Sequence, residues 1–204
     1  FLGYMAGAFI VGRPTFTADP RRWLLVALAA SAATTAAMAA TTNLHVMLAL
    51  RLVAGAASAF VIICSSTLVL ERLARAGRSG LVSMHFAGVG IGIMASAIIV
   101  AVLGAYGIGW RGLWLGSGAA AAVAAAIAVL LVPAAATASA AAGPTVERPA
   151  RAGLAGLAAA HGLFGFGYVI TATFLVAIVR ASPGLGAVEP AVWLLVGLAA
   201  APST

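Results

Sequence analysis

The feature that most constrains this chain is the separation of its charged residues from its apolar ones. Apolar runs of about twenty residues alternate with short segments that hold nearly every arginine. A bilayer core about 30 Å thick takes about 20 apolar residues per helical crossing, and it leaves no water to bind free backbone groups. Because 64% of the residues are hydrophobic and only 7% are charged, the pattern predicts membrane-spanning helices and excludes a water-soluble domain.

The apolar runs predict an all-α fold, a polytopic membrane helical bundle. Complete spans are predicted at 23–41, 45–70, 81–105, 113–132 and 154–179. The apolar segments at the two ends, 1–11 and 190–204, are each shorter than one crossing. We therefore expect the chain to be a piece of a longer protein, truncated at both ends.

The arginines predict the orientation of the bundle. The connections 12–22, 71–80 and 133–153 hold three, three and two arginines, whereas the three connections on the other side of the membrane hold none, one and one. Under the positive-inside rule the arginine-rich connections are cytoplasmic, which predicts a multi-pass protein of the inner (plasma) membrane. The net charge of +7 is then explained by loops that face an anionic leaflet, so no nucleic-acid partner is expected.

The connection 133–153 is the longest, and its Ala, Ser, Thr, Pro and Gly content is typical of a flexible linker. It divides the chain into an N-terminal transmembrane half, 1–132, and the start of a C-terminal half, 154–204. If one helix precedes residue 1, the linker follows the sixth helix. The layout is then two six-helix halves joined by a cytoplasmic loop.

Arg51 is the most informative polar residue within a span, because a charge at that depth is costly unless it is paired or lines a wet cavity. It lies about 12 Å from the outer edge near Asn43, at 1.5 Å per residue. Gly55, Ser58 and Ser65 fall on the same helical face. This face predicts part of a substrate or proton pathway. The alternative is an arginine that extends to the interface, with small residues that serve helix packing.

His85 begins a second face that continues through Gly88 and Gly92. A histidine in the membrane can titrate near neutral pH and relay a proton. Because His85 is a few residues from the cytoplasmic end of its span, a solvated interfacial histidine is the alternative. Gly88 and Gly92, like Gly55, are predicted to allow close helix packing.

A third set of polar residues lies in the span 154–179. His161 shares a helical face with Tyr168, and Thr171 lies near its edge. Hydrogen bonds to a substrate and hydrogen bonds between helices are both open readings of this set.

No other catalytic or cofactor chemistry is predicted. The four acidic residues, Asp19, Glu71, Glu147 and Glu189, all fall in connections or at span ends. The sequence offers no clustered metal ligands, no nucleophile with its base and no phosphate-binding loop. We therefore expect a protein that is not an enzyme and that takes no metal and no cofactor.

Four segments carry a family resemblance. RLVAG at 51–55 resembles the fourth-helix Arg-x-x-x-Gly motif of major facilitator transporters. LERL at 70–73, HFAGVGIG at 85–92 and GFGYVITATF at 165–174 resemble the YbfB/YjiJ-type group of bacterial members. The resemblance implies a twelve-helix inner-membrane transporter whose halves rock, with Arg51 at the position linked in the family to proton coupling. The first cytoplasmic loop departs from the superfamily pattern, because Gly12 is followed by Asp19, Arg21 and Arg22 without a second glycine.

The sequence thus leads to one hypothesis and two alternatives. The hypothesis is a secondary active transporter of a small organic solute that works by alternating access, with proton-coupled efflux as its form. Its expected partners are the solute, protons and the lipid bilayer; the oligomeric state is not predicted. A non-transporting membrane scaffold or sensor and a membrane-embedded enzyme are the alternatives.

Overall fold

The computed structural model describes residues 1–13, 19–132, 151–184, 188 and 191–202, without the side chains of 151–155, 157, 158, 161, 164 and 172. The predicted all-α membrane bundle is confirmed, since the described residues form helices and contain no strand. The helices are α1 (Leu2–Val11), α2 (Pro20–Ala37), α3 (Leu44–Arg75), α4 (Val82–Ala105), α5 (Trp110–Leu131), α6 (Arg151–Ala181) and α7 (Val192–Ala200). A 3-10 turn, Met38–Ala40, extends α2, and another, Ser79–Leu81, precedes α4.

Helices α2 to α6 overlap the five predicted spans closely. Among the described residues, four helical segments are long and apolar enough to cross a membrane: Pro20–Ala40, Leu44–Arg75, Ser79–Ala105 and Trp110–Leu131. The fifth predicted span, 154–179, lies within α6. Most of the predicted linker, 133–150, lies outside the described residues, and the last three linker positions are the first residues of α6.

Local sequence explains where two of the helices begin. Asp19 accepts a hydrogen bond from the backbone N–H of Arg21, and Pro20 occupies the first helical position, where its missing N–H costs nothing. The side chain of Asn43 accepts hydrogen bonds from the backbone N–H groups of His45 and Val46 at the start of α3. These polar caps fix the first residues of α2 and α3.

Helix α3 extends five residues beyond its predicted span, into the predicted cytoplasmic connection. Its last turn holds Arg72 and Arg75, which are favourable beside the free carbonyl groups of a helix C-terminus. Arg75 also donates to Glu71 at 3.1 Å, one turn earlier. Because both side chains are exposed, this pair contributes about 0.5 kcal/mol or less. The chain then turns at Gly77, whose φ of 65° favours glycine.

Helix α2 packs against α3 on one side and α5 on the other. The core of the α2–α3 interface is formed by Ala27, Ala57 and Phe60. Trp23 stacks on Phe60 with ring centroids 5.2 Å apart. Small alanines beside two large rings let the helices approach and fill the space between them with few voids.

Helices α1 and α3 cross at a set of glycines. A Cβ atom on Gly7 would stand 2.7 Å from the carbonyl oxygen of Ala56, and one on Gly3 would overlap the carbonyl of Leu52. From the other side, a Cβ on Gly55 would stand 2.9 Å from the backbone nitrogen of Tyr4. The two backbones are therefore in direct contact, which is how small residues join helices in lipid.

Among the described residues, α1 to α5 and residues 194–202 form one compact unit, and α6 belongs to a second unit. Within the first unit, α4 and α7 meet backbone to backbone. A Cβ on Gly90 would overlap the backbone of Ala201, and one on Gly197 would stand 2.6 Å from the backbone nitrogen of Met94.

Candidate functional site

Arg51 lies in the first third of α3 and is exposed. The Cζ atom of its guanidinium stands 4.6 Å from the ring centroid of Trp114 on α5. No carboxylate of the described residues pairs with it. A cation over an aromatic ring is attracted by the electrons of the ring, and the N–H donors that do not face the ring remain available to another group.

The remaining residues of the predicted Arg51 face have different surroundings. Ser58 is exposed like Arg51. Gly55 contacts the backbone of α1, and the hydroxyl of Ser65 donates to the carbonyl of Ile62 in its own helix. Arg51 and Ser58 are thus the exposed polar members of this face.

Sequence reasoning did not single out Trp114. It lies four residues into α5, whereas Arg51 lies seven residues into α3, and both helices start from the same side of the membrane in the predicted topology. At 1.5 Å per residue their depths differ by about 5 Å, which an arginine side chain spans easily. Matching the depths of polar and aromatic residues on different spans is the signal that points to this pair.

His85 links two helices. Its Nε2 atom and the Ser66 hydroxyl on α3 lie 3.2 Å apart and share a hydrogen bond whose direction depends on the histidine tautomer. The ring also meets Phe86 edge to face, with centroids 5.1 Å apart. His85 is half-buried, so it joins α3 to α4 instead of standing in open solvent. Ser66 was not among the predicted site residues.

We expect the His85 and Ser66 side chains to be energetically coupled. In a double-mutant cycle of His85→Ala and Ser66→Ala, the coupling should be about 0.6 kcal/mol and below about 2 kcal/mol, as for other hydrogen bonds between membrane helices. Reversible unfolding in mixed micelles measures it. Ser96→Ala is the control partner, because the Ser96 hydroxyl donates to Ile93 within α4. Equal coupling of His85 to Ser66 and to Ser96 would contradict the expectation.

Gly88 and Gly92 lie on α4 in more open surroundings than Gly90. A Cβ atom on either of them would find no described atom within 4 Å. Among the described neighbours of α4, the close approach is made at Gly90, which alternates with Gly88 and Gly92 along the sequence.

The third predicted set lies on α6, in the second unit. The side chain of His161 lies outside the described residues. Tyr168 is 49% exposed. The Thr171 hydroxyl donates to the carbonyl of Gly167 at 3.1 Å, one turn earlier in the same helix. A threonine bonded in this way keeps its oxygen as a further acceptor.

The first predicted cytoplasmic loop, 12–22, is described at its ends, because 14–18 lie outside the described residues. Arg21 donates from Nε to the carbonyl of Val132 at 2.7 Å. Val132 directly follows α5, so the charged side chain of Arg21 satisfies a carbonyl group that has no partner within the helix. Two residues of this loop therefore stabilise helix ends. Asp19 caps the start of α2, and Arg21 binds the carbonyl group that follows the end of α5.

Among the described residues, no group of three or more His, Cys, Asp or Glu side chains is placed to hold a metal ion. The one cysteine, Cys64, is buried in α3.

A family model described as "Uncharacterised MFS-type transporter YbfB", where MFS is the major facilitator superfamily, matches residues 1–204. Comparisons with curated proteins and with solved structures found no match.

Proposed function

Because the chain belongs to the family of uncharacterised MFS-type transporters represented by YbfB, we propose that it moves a small organic solute across the inner membrane by alternating access. The family makes it a multi-pass membrane transporter, in agreement with the four helices of the described residues that are long and apolar enough to cross a membrane. The proposal adds three specific points: the transport is secondary active, it is coupled to protons, and it is directed outward.

The observation that carries the proposal is the exposed guanidinium of Arg51 over the ring of Trp114. A charge about 12 Å inside a span is costly in lipid. The ring stabilises the cation by about 0.5–2 kcal/mol, and the N–H donors that do not face the ring remain available. These donors suit a solute that carries a carboxylate, a phosphate or a carbonyl group. A helix that serves only for packing has no need of a charged side chain at this depth, whereas a binding site for a polar solute does.

Arg51 does not carry the transported proton, because a guanidinium stays charged at every physiological pH. The proton carrier in the proposal is a histidine within the spans, His85 or His161. His85 already shares a hydrogen bond with Ser66, and a change in its charge would alter that link between α3 and α4. Solute binding and protonation would then shift the balance between inward-open and outward-open states by their different affinities for the two.

The test uses the full-length protein in inverted membrane vesicles with an acidified lumen. Pools of organic acids, neutral metabolites and cationic drugs are added outside, and a pH-sensitive dye reports the gradient. The proposal expects that at least one pool dissipates the gradient in vesicles that contain the protein and not in vesicles that lack it. The active pool is then divided to find the solute.

Two results would oppose the proposal. If a radiolabelled solute crosses the membrane without any change of the gradient, transport stands and proton coupling fails. If no pool dissipates the gradient and no radiolabelled solute crosses the membrane, while the protein remains folded in the vesicles, the scaffold or sensor alternative replaces the transport proposal.

A further inference from the structure

A groove runs between α2 and α5 on the flank of α5 that faces away from Arg51. It has a volume of about 660 Å³, and every lining side chain is alanine, glycine or leucine. Trp114, which contacts Arg51, is separated from Leu115 by about 100° around α5 and from Ala119 by about 140°. Leu115 and Ala119 line the groove. The groove is therefore separate from the proposed transport site.

The groove has the length of one lipid leaflet. On α5 its lining runs from Leu115 to Ala125, ten residues or about 15 Å at 1.5 Å per residue. That is half of a hydrocarbon core about 30 Å thick. On α2 the lining runs from Ala29 to Ala36, the half of that helix farther from its N-terminus. Both helices are membrane spans, so the groove lies in the hydrocarbon of one leaflet.

A cation stands at the end of this groove. Arg111 precedes Leu115 by four residues and so lies on the same face of α5, one turn closer to the membrane surface. It is exposed, and its guanidinium lies 5.3 Å from the centroid of the Trp110 ring. Tryptophan at a helix end is typical of the headgroup level. An apolar groove one leaflet long therefore ends at a positive charge at the height of the lipid headgroups.

We propose that the α2–α5 groove binds an anionic phospholipid, with an acyl chain along the alanines and the phosphate at Arg111. The lining offers no hydrogen-bonding side chain, so a polar solute gains nothing there. A groove left empty in a bilayer loses dispersion contacts along its whole length. A flexible chain with an anionic headgroup satisfies both the alanines and the guanidinium.

The charge of Arg111 also favours a phospholipid over a second copy of the chain as the occupant of the groove. In a two-fold dimer through this face, with its axis along the membrane normal, both Arg111 side chains lie at the same end of the interface. Like charges brought together at the membrane surface oppose such a contact. A phospholipid reverses the sign, because its phosphate is attracted to the same guanidinium.

The test uses the full-length protein in lipid nanodiscs that contain phosphatidylglycerol with a photoactivatable group in one acyl chain. After illumination, mass spectrometry locates the lipid adducts on the protein. We expect adducts on the groove stretches of α2 and α5. Ala119→Phe should lower them by at least about fivefold, because the ring fills the groove. Ala119 is exposed, so the larger side chain leaves the α2–α5 packing in place. Ala33→Phe is the second filling variant, should the first fail to fold.

The matched control is Ala124→Phe, an exposed alanine about 140° around α5 from Ala119, on a flank that does not line the groove. Its adducts should equal those of the wild type. Arg111→Gln tests the headgroup: phosphatidylglycerol should label the wild type more than phosphatidylcholine with the same chain, and the variant should label equally with both.

Four outcomes would overturn the proposal. Adducts that are unchanged by both filling variants place the lipid elsewhere. Equal labelling of the wild type by both lipids removes the role of Arg111. A cross-link between two copies at Ala119 makes the groove a dimer interface, and a cross-link to another segment of the same chain makes it an internal packing surface.

Discussion

Arg51→Ala is expected to lower solute-driven proton flux in inverted vesicles by at least about tenfold, which corresponds to about 1.4 kcal/mol of lost stabilisation. The variant removes both the charge and its stacking on Trp114. Arg51→Lys should keep part of the flux, because an ammonium retains the charge but loses the planar face and the forked donors. The flux of Trp114→Leu should lie between the fluxes of Arg51→Ala and Arg51→Lys, since this variant removes the ring and keeps the guanidinium.

Arg78→Ala is the control for this series. Arg78 is an exposed arginine between α3 and α4, and its loss changes the net charge equally without touching the span. Wild-type flux in Arg51→Ala would mean that the guanidinium extends to the interface and takes no part in transport. Wild-type flux in Trp114→Leu, with loss in Arg51→Ala, would separate the charge from the ring and leave the stacking without a role.

Gly7→Ala is expected to destabilise the protein by about 1–3 kcal/mol, although it adds a single methyl group. That methyl would stand 2.7 Å from the carbonyl oxygen and 2.9 Å from the Cα of Ala56. Backbone atoms of a helix cannot move aside as a flexible side chain can, so α1 and α3 must separate. Thermal unfolding of the purified protein in detergent, followed by size-exclusion chromatography, measures the loss.

Gly92→Ala is the matched variant, and its expected change in stability has the opposite sign to that of Gly7→Ala. A Cβ at Gly92 meets no described atom within 4 Å, and alanine is intrinsically the better helix former by up to about 1 kcal/mol. Its unfolding temperature should stay the same or rise slightly. If Gly7→Ala is as stable as Gly92→Ala, the backbone contact between α1 and α3 is not what holds these helices together.

The positions of the spans could be predicted because lipid imposes a simple rule on the sequence. A run of apolar residues in a bilayer is a helix, so α3 and α4 begin within two residues of the predicted spans. The end of α3 could not be predicted in the same way. Glu71, Arg72 and Arg75 are charged, and hydropathy ends the span before them, whereas the helix continues on its own hydrogen bonds and on the Glu71–Arg75 pair.

The side-chain partners could be predicted less well than the spans. Periodicity places Arg51 on a face of its own helix, but it contains no information on which other helix stands opposite. Trp114 and Ser66 are 63 and 19 residues away from Arg51 and His85 along the chain, and only packing brings the pairs together. Periodicity likewise does not rank Gly88, Gly90 and Gly92, which alternate along α4, whereas the described packing places Gly90 at the close approach.

The 32 residues of α3 have a consequence for the membrane that suits this protein. At about 1.5 Å per residue the helix is about 48 Å long, and a tilt of about 20° still leaves roughly a third of it outside a 30 Å hydrocarbon layer. The 22 residues of α5 give about 33 Å and no such reserve. A thicker bilayer would still be matched by the apolar part of α3, residues 44–70 or about 40 Å, while α5 would have to draw the lipid thinner around it. A bilayer that is too thick would therefore first exceed the length of α5. The bilayer thickness that this protein prefers is set by its shorter spans.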